Sequence, residues 1–574
     1  MSRKHYSDTV GQASRLRQKL ASADKSRLSL KSLSPTGRGK VRGKHLILLI
    51  VLLLGLLLRL SYLSEFRQTP FFNARLLHGL DQRTWDEIGV KIVSHPWFVD
   101  GSPFYQPPGY AYFLAAVYSI FGIHNYLAAG IIQVLLDLLA AFLIFLLGKR
   151  LWNDWVGLIA CVLYSFYRPF IYYSATLLSD SFILFTNVLC LFLVYWTLER
   201  SERKVRWLLA GLGFGLAAIA KPTILLFAFL SLPLVIFRSA TLSGSPVGEG
   251  LHPLPNVVGP VSRQSLKTLS PSGRGEVRGK SLFLPSLLFL LGFLLLVAPV
   301  IIRNSLLAGK FVTVSTNGPV AWQFGNSADS IGLFVYPKGP LLSPASLDFW
   351  KLWGRKTIFF FSSYEWPQNL NIYLLTAITN ILKLPLFAFG LVVPLGLVGF
   401  FTASNVKFRY LQIYTFASVI SVVAFFITSR YRLPALAGFI LLASGYLYFL
   451  FEKILSLRAY FARQSHSAVI FRSATLSGSP VGEGLHPLPN VESPHPTRDL
   501  ISVLSSLFAL AILSFVLVNS WSGPRIGELH AKYYAIATEK SVAYDQAHGQ
   551  AALAQKKTDA FLRFMSQYVS GQID

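Results

Sequence analysis

Two stretches carry an acid placed where it could do chemistry. In LLHGLDQRTWDEIGVKIV, Asp81, Trp85 and Gly89 recur every four residues, which puts an acid, an aromatic and a small residue on one face of a short surface helix. A carboxylate there can take a proton from a hydroxyl within hydrogen-bond reach. It can equally serve only to cap the helix, because an acid is favoured at a helix N-terminus. Asp86 and Glu87 follow in the same stretch as reserve carboxylates. Asp180, in SATLLSDSFILFTNV, has the same two readings. An ionisable group beside hydrocarbon is costly and marks a functional candidate, yet with Ser179 it also makes an N-cap.

Cations accompany these acids: Lys221 in AIAKPT, Arg303 before Asn304 in APVIIRNSLLAGK, and Arg430 and Arg432 in SRYRLP. Singly, each reads as an interfacial anchor. Together they suit an anionic lipid headgroup, since arginine binds phosphate oxygens in a fork and lysine adds a point charge. Trp85, Tyr105 and Asn326 are expected in the loops beside a substrate, and NGPVAWQFGN, with two glycines and two asparagines, suits tight turns there. Paired acids can hold a divalent cation, but no second carboxylate lies at an assured distance from Asp81. Neither a metal nor a cofactor is expected.

The elements that must position these residues are membrane helices. Of 574 residues 53% are hydrophobic and only 14% charged, well short of the quarter usual in soluble domains, with a net charge of +27. About eleven apolar runs begin near residues 45, 125, 155, 177, 207, 222, 281, 383, 410, 434 and 500. The first follows 44 residues carrying twelve Lys/Arg and two Asp, and reads as an uncleaved helix with a cytoplasmic N-terminus. Alternation then leaves mostly basic segments inside and places 65–124, 303–382 and the tail from about 521 outside. The basic charge is accounted for by inner loops meeting anionic lipid, with no nucleic acid required. Cys161 and Cys190 lie in apolar runs and read as small core residues.

A 23-residue segment, VIFRSATLSGSPVGEGLHPLPNV, occurs without change at 235–257 and 469–491, and the 26–44 stretch returns in close copy at 262–280. Their flanking helices are unrelated and their Gly, Pro and Ser content cannot bury a core, so they read as duplicated inserts in inner loops. A phosphate-binding role for the GRG spacing lacks the strand-to-helix context it needs. The expected organisation is a basic tail (1–44), a transmembrane catalytic domain (45–452) with an insert at about 237–280, an inner loop with the second insert (453–499), a last span (500–520) and an outer helical tail (521–574).

In order along 45–450, DQRTWDEIG, YQPPGYAYFLAAVYSIFG, IIQVLLDLL, YYSATLLSDSF, GLGFGLAAIAKPT, APVIIRNSLLAGKFVTVSTNGPVAWQFGN, SSYEWPQNLNIY and SRYRLP resemble the polyprenyl-phosphate-sugar-dependent glycosyltransferases of the GT-C superfamily, which includes protein O-mannosyltransferases and the aminoarabinose transferase of lipid A. The resemblance implies an all-α GT-C membrane fold in a bacterial inner membrane, with long extracytoplasmic loops carrying short surface helices. It also implies transfer of a sugar from a polyprenyl-phosphate donor to a glycolipid, polysaccharide or protein hydroxyl outside the cytoplasm. Asp81 would be the base, Asp180 a second acid that orients acceptor or base, and Lys221, Arg303, Arg430 and Arg432 the donor-phosphate ligands. The alternative is a transporter or flippase of lipid-linked sugars, which would tend to show an inverted repeat and broken helices at midplane. Transfer from a soluble nucleotide sugar is disfavoured, as no Rossmann-like or Asp-x-Asp element falls in an inner segment.

Overall fold

The computed structural model describes residues 36–77, 79–97, 99–231, 283–334, 336–476, 509–520, 528–547 and 549–569. Contacts divide the chain into residues 1–53 and 54–574. The first unit, in its described part, is the leading stretch of helix α1 (Thr36–Phe66). Its Leu46, Ile47, Leu49, Ile50 and Leu53 are exposed, a surface suited to hydrocarbon.

The second unit is helical, with isolated bridges in place of strands among the described residues. In chain order it contains α2 (Asp81–Ser94), α3 (Gly109–Phe121), α4 (Tyr126–Leu151), α5 (Asp154–Ser165), α6 (Arg168–Ala175), α7 (Asp180–Glu199), α8 (Lys204–Ala220) and α9 (Phe283–Ala308). There follow α10 (Gly318–Asn326), α11 (Leu347–Phe361), α12 (Ile372–Ile378), α13 (Phe389–Thr402), α14 (Arg409–Val423), α15 (Ser429–Leu476), α16 (Ala509–Asn519), α17 (Glu528–Ala547) and α18 (Ala551–Val569).

Among the described residues five helices are long and apolar enough to cross a membrane: Gly43–Phe66 within α1, α4, α7, α9 and Ser429–Ser456 within α15. The chain is an integral membrane protein. Of the other expected runs, those near 155, 383 and 500 form the shorter α5, α13 and α16, while those near 207 and 410 form α8, of 17 residues, and α14, of 15. The run from 222 is described only to residue 231. Short apolar helices of this kind are stable where neighbours cover them. Thus α5 packs between α4 and α15, with Val156, Ala160, Cys161 and Tyr164 fully buried.

The stretch expected as one outer loop, 65–124, itself contains the apolar helix α3. A second difference concerns NGPVAWQFGN, which forms the helix α10 in place of turns. Its Gly318 and Pro319 open the first turn, where proline's missing N–H costs nothing. The 235–257 and 262–280 repeats lie outside the described residues; of the other copies only 36–44 and 469–476 are described, and both are helical.

Inside the bundle, α15 packs against α5, α7, α13 and α14, and α7 packs against α4 and α8. Small residues bring α8 and α9 together: a Cβ at Gly211 would stand 2.0 Å from the Phe289 carbonyl oxygen. One buried ion pair ties α1 to α4 and α5. Arg59 donates from Nε to Asp137 at 2.6 Å and from a terminal nitrogen to the Ser165 carbonyl at 2.8 Å, and Tyr164 donates to the other Asp137 oxygen at 2.7 Å. Burial of that kind is tolerated because the charges are paired and hydrogen-bonded.

Candidate active site

Asp81 is the first residue of α2 and Asp180 the first of α7, so both carboxylates stand at the positive end of a helix. Neither helix takes a side-chain hydrogen bond from the residue before it. The acids are turned instead toward a shared cation from the start of α15. Arg430 donates to Asp81 Oδ2 at 2.6 Å and, through Nε, to Asp180 Oδ1 at 3.0 Å. Asp180 is buried and its second oxygen has no hydrogen-bond partner. Asp81 keeps 28% of its side chain exposed and can therefore meet an incoming group.

Asp81 has a second partner that the sequence reading did not single out, although it lies within the quoted YEWPQN phrase. Asn369 donates to Asp81 Oδ2 at 3.0 Å and accepts the Asp81 backbone N–H at 2.8 Å. Asn369 adopts φ +65°, a left-handed conformation that asparagine tolerates better than most side chains. Tyr172 of α6 holds the next residue by donating to the Leu370 carbonyl at 2.9 Å.

Arg430 also lines a cavity of about 400 Å³, together with Trp85, Ser179, Asn187, Lys221 and Tyr431. Trp85 is set by Tyr110 of α3, whose ring meets it edge-on at 5.4 Å. Tyr110 donates in turn to Gln133 of α4, and Gln133 donates to the Thr176 carbonyl at 2.8 Å, four residues before Asp180. The two acid-bearing helices are thus linked by one ring contact followed by two hydrogen bonds. Lys221 sits in the turn after α8, with Nζ 3.2 Å from the centre of the Tyr431 ring. Burial pushes its ammonium down to about 7, offset in part by the Asp180 charge and reinforced by that of Arg430. A lysine poised there gains charge from any anion that enters the cavity.

The structure therefore brings Asp81, Asp180, Lys221, Arg430 and Trp85 together, and places the other candidates elsewhere. Arg303 binds the Trp97 carbonyl at 2.6 Å and the Ser102 carbonyl at 3.1 Å and lies over the Phe104 ring, tying the loop after α2 to α9. Arg432, fully buried, donates to the carbonyls of Phe360, Ser362 and Tyr364 and to Glu365 at 2.7 Å. Asp86 accepts from Tyr118 at 2.7 Å and Tyr126 at 2.9 Å and pairs with His124 at 2.9 Å, joining α2 to α3 and α4. Glu87 makes an exposed pair with Arg83. Tyr105 is exposed, and its carbonyl accepts the Asn317 N–H at 3.0 Å. Asn326 is buried, accepting from Trp353 at 3.1 Å and from Lys356 at 2.9 Å.

Two carboxylates bridged by one arginine, beside a cavity with a second cation, make a site in a helical membrane protein whose charges could meet an anionic group. Residues 105–246 match the family model for dolichyl-phosphate-mannose-protein mannosyltransferases. A curated relative, undecaprenyl phosphate-alpha-4-amino-4-deoxy-L-arabinose arabinosyl transferase 2 of Proteus mirabilis (strain HI4320), is 27% identical over 202 residues, 33% of this chain and 34% of the relative. The match thus spans about a third of that relative's length. Among solved structures, ArnT from Cupriavidus metallidurans bound to undecaprenyl phosphate aligns at 14% identity and TM-score 0.39 over 92% of this chain and 78% of the other. The Archaeoglobus fulgidus oligosaccharyltransferase aligns at 14% and 0.37 over 86% and 56%. The family model and the curated relative are both sugar transferases, and the part of this chain that the family model matches includes Asp180 and Lys221.

Proposed function

We propose that the protein transfers a sugar from a polyprenyl-phosphate donor to an acceptor hydroxyl at the extracytoplasmic face of a bacterial inner membrane, with inversion at the anomeric carbon. The observation that carries this is Arg430, shared by Asp81 and Asp180 on one side and facing the cavity with Lys221 on the other. In this reading the donor's phosphate enters the cavity and its charge is met by Arg430 and Lys221. The acceptor hydroxyl approaches the exposed part of Asp81 and attacks the anomeric carbon. Its proton passes to Asp81 while the carbon–oxygen bond to phosphate breaks, the electron pair leaving with the phosphate. A single displacement of this kind inverts configuration.

Arg430 has two duties that compete. It holds the Asp81 carboxylate at 2.6 Å, and it faces the space a phosphate would fill. A phosphate that engages the same guanidinium relaxes its hold, which frees Asp81 to meet the acceptor when the donor is in place. Asp180, with one oxygen unpartnered, is proposed to orient the acceptor or Arg430. The topology proposed is the one expected from the apolar runs: about eleven spans, with the Asp81 loop, the 303–382 segment and the tail outside. The glycolipid, polysaccharide or protein that accepts the sugar is of the class presenting a free hydroxyl there. A transporter reading has no comparable support, since the family model and the curated relative are both sugar transferases.

The test is transfer of radiolabelled sugar from a panel of polyprenyl-phosphate sugars, comparing wild type with Asp81→Asn. Turnover should fall about 10²–10⁴-fold, the usual contribution of a positioned base, while the donor still binds. Label that crosses the bilayer on an unaltered carrier would defeat the proposal and favour a flippase.

A further inference from the structure

We propose that the C-terminal hairpin, α17 with α18, is a brace that fixes Asp81 by clamping the two chain segments that meet at the Asp81–Asn369 contact. The proposal rests on the reading of Asp81 as the base. The hairpin lies far outside the residues the family model matches, 105–246, so its role has to be read from its own contacts.

Those contacts converge on two places. Tyr534 of α17 is fully buried, with its ring 5.3 Å from Phe71, 5.2 Å from Phe561 and 5.0 Å from Phe564. Phe71 precedes the 3-10 turn Ala74–Leu76, which α17 also touches, and that turn ends five residues before Asp81 in the chain and packs against α2. On the other side, α18 touches α12, whose N-cap Asn371 stands two residues after Asn369. One element thus holds the segment that delivers the carboxylate and the segment that delivers its amide partner, 288 residues away in the chain.

The brace has the stiffness this needs. Lys557 of α18 pairs with Asp545 of α17 at 2.6 Å and donates to Ser541 at 2.6 Å, all three buried. A buried ion pair fixes the register of the two helices more than it adds stability. The clamp matters because Asn369 holds a conformation that most side chains avoid, so its two bonds to Asp81 persist only while its surroundings are held. A base displaced by a fraction of an ångström loses much of its effect. The segments have a separate tie in Glu65, which accepts the backbone N–H groups of Asn380 and Ile381 at 2.8 and 3.1 Å. Weakening the hairpin should therefore loosen the contact without unfolding the loops.

The Tyr534 hydroxyl is buried without a partner, so the ring is what counts. The experiment compares full-length wild type, Tyr534→Phe and Tyr534→Ala by hydrogen exchange of peptides spanning 77–85 and 366–372, and by transfer kinetics. Tyr534→Ala should speed exchange in both peptides about tenfold. It should lower kcat about tenfold with donor KM unchanged, since a misplaced base acts on the transition state alone. Tyr534→Phe should match wild type in both. Should the alanine variant fail to fold, Tyr534→Leu, which keeps apolar bulk but not the ring contacts, takes its place. Unchanged exchange in the alanine or leucine variant overturns the brace whatever the kinetics show. Faster exchange with kcat intact overturns its role in positioning Asp81. A wild type that transfers from no donor overturns the proposed function, while the exchange data still decide the brace.

Discussion

Arg430 and Arg432 are two residues apart at the start of one helix, and they do opposite work. Arg430 binds two carboxylates from distant helices and faces a cavity. Arg432 spends its donors on three backbone carbonyls, the Ser429 hydroxyl and Glu365, joining the end of α11 to the start of α15. Carbonyls at the end of a segment need donors wherever the chain turns in a buried place, and an arginine fork can supply several at once. What separates the site arginine from the structural one here is that it spans two carboxylates from distant helices and has a cavity beside it.

Substitution should separate the pair further. Arg432→Ala leaves Glu365 and three carbonyls uncompensated, and should cost about 3–5 kcal/mol, seen as collapse of the folded yield and Tm in detergent. Arg430→Ala leaves one part-exposed carboxylate, Asp81, and one buried one, Asp180, and is set apart by turnover, which should fall about a hundredfold or more through loss of charge stabilisation at the leaving phosphate. Equal thermal losses with turnover spared would erase the distinction.

A second contrast lies in two lysines that burial holds down to about 7: Lys221 at the cavity and Lys356 in the 303–382 segment, where it donates to the Gly325 and Phe425 carbonyls and to Asn326. The folded state favours their neutral forms, so the unfolded chain binds more protons between pH 7 and the ordinary lysine value. Stability should therefore rise with pH across that window and level off below it, and Lys356→Met should remove part of the rise. Turnover should respond to Lys221 with the opposite sign. Its charge is present below about pH 7, so kcat/KM should fall as pH rises through 7, by about tenfold per unit if the charge is required. Lys221→Gln should flatten that profile and Lys356→Met should leave its shape alone. The smallest effect belongs to Glu87→Gln, an exposed pair with Arg83 worth about 0–1 kcal/mol, with no change in transfer.

Hydropathy is a property of chain neighbours, so the membrane character and the places where helices form could be read from composition and apolar runs. Run length alone does not say whether a helix crosses a bilayer or is covered by its neighbours, and α5, of 12 residues, is such a case. At the site, Asp81, Asp180, Lys221 and Arg430 announce themselves as ionisable groups at the ends of apolar runs. Partners are another matter. Arg303 and Arg432 resemble Arg430 in type and setting, and only the folded chain shows carbonyls from 206 and 72 residues away taking up their donors. Asn369 gave no charge signal at all, and Asp86 was distinguished from Asp81 only by two tyrosines and a histidine further along the chain.

The first residue of α3 brings a dimensional constraint. A Cβ on Gly109 would stand 2.9 Å from the backbone of Ile219 and Ala220, immediately before Lys221 and two residues beyond Pro107, which also lines the cavity. The corner beside Pro107 and Lys221 is therefore gauged by main chain against main chain, with no side chain to trim or swing aside. Attempts to enlarge the donor site should leave this corner alone and work from Trp85 or Asn187, because even an alanine at 109 would act as a wedge that shifts the lysine with its turn.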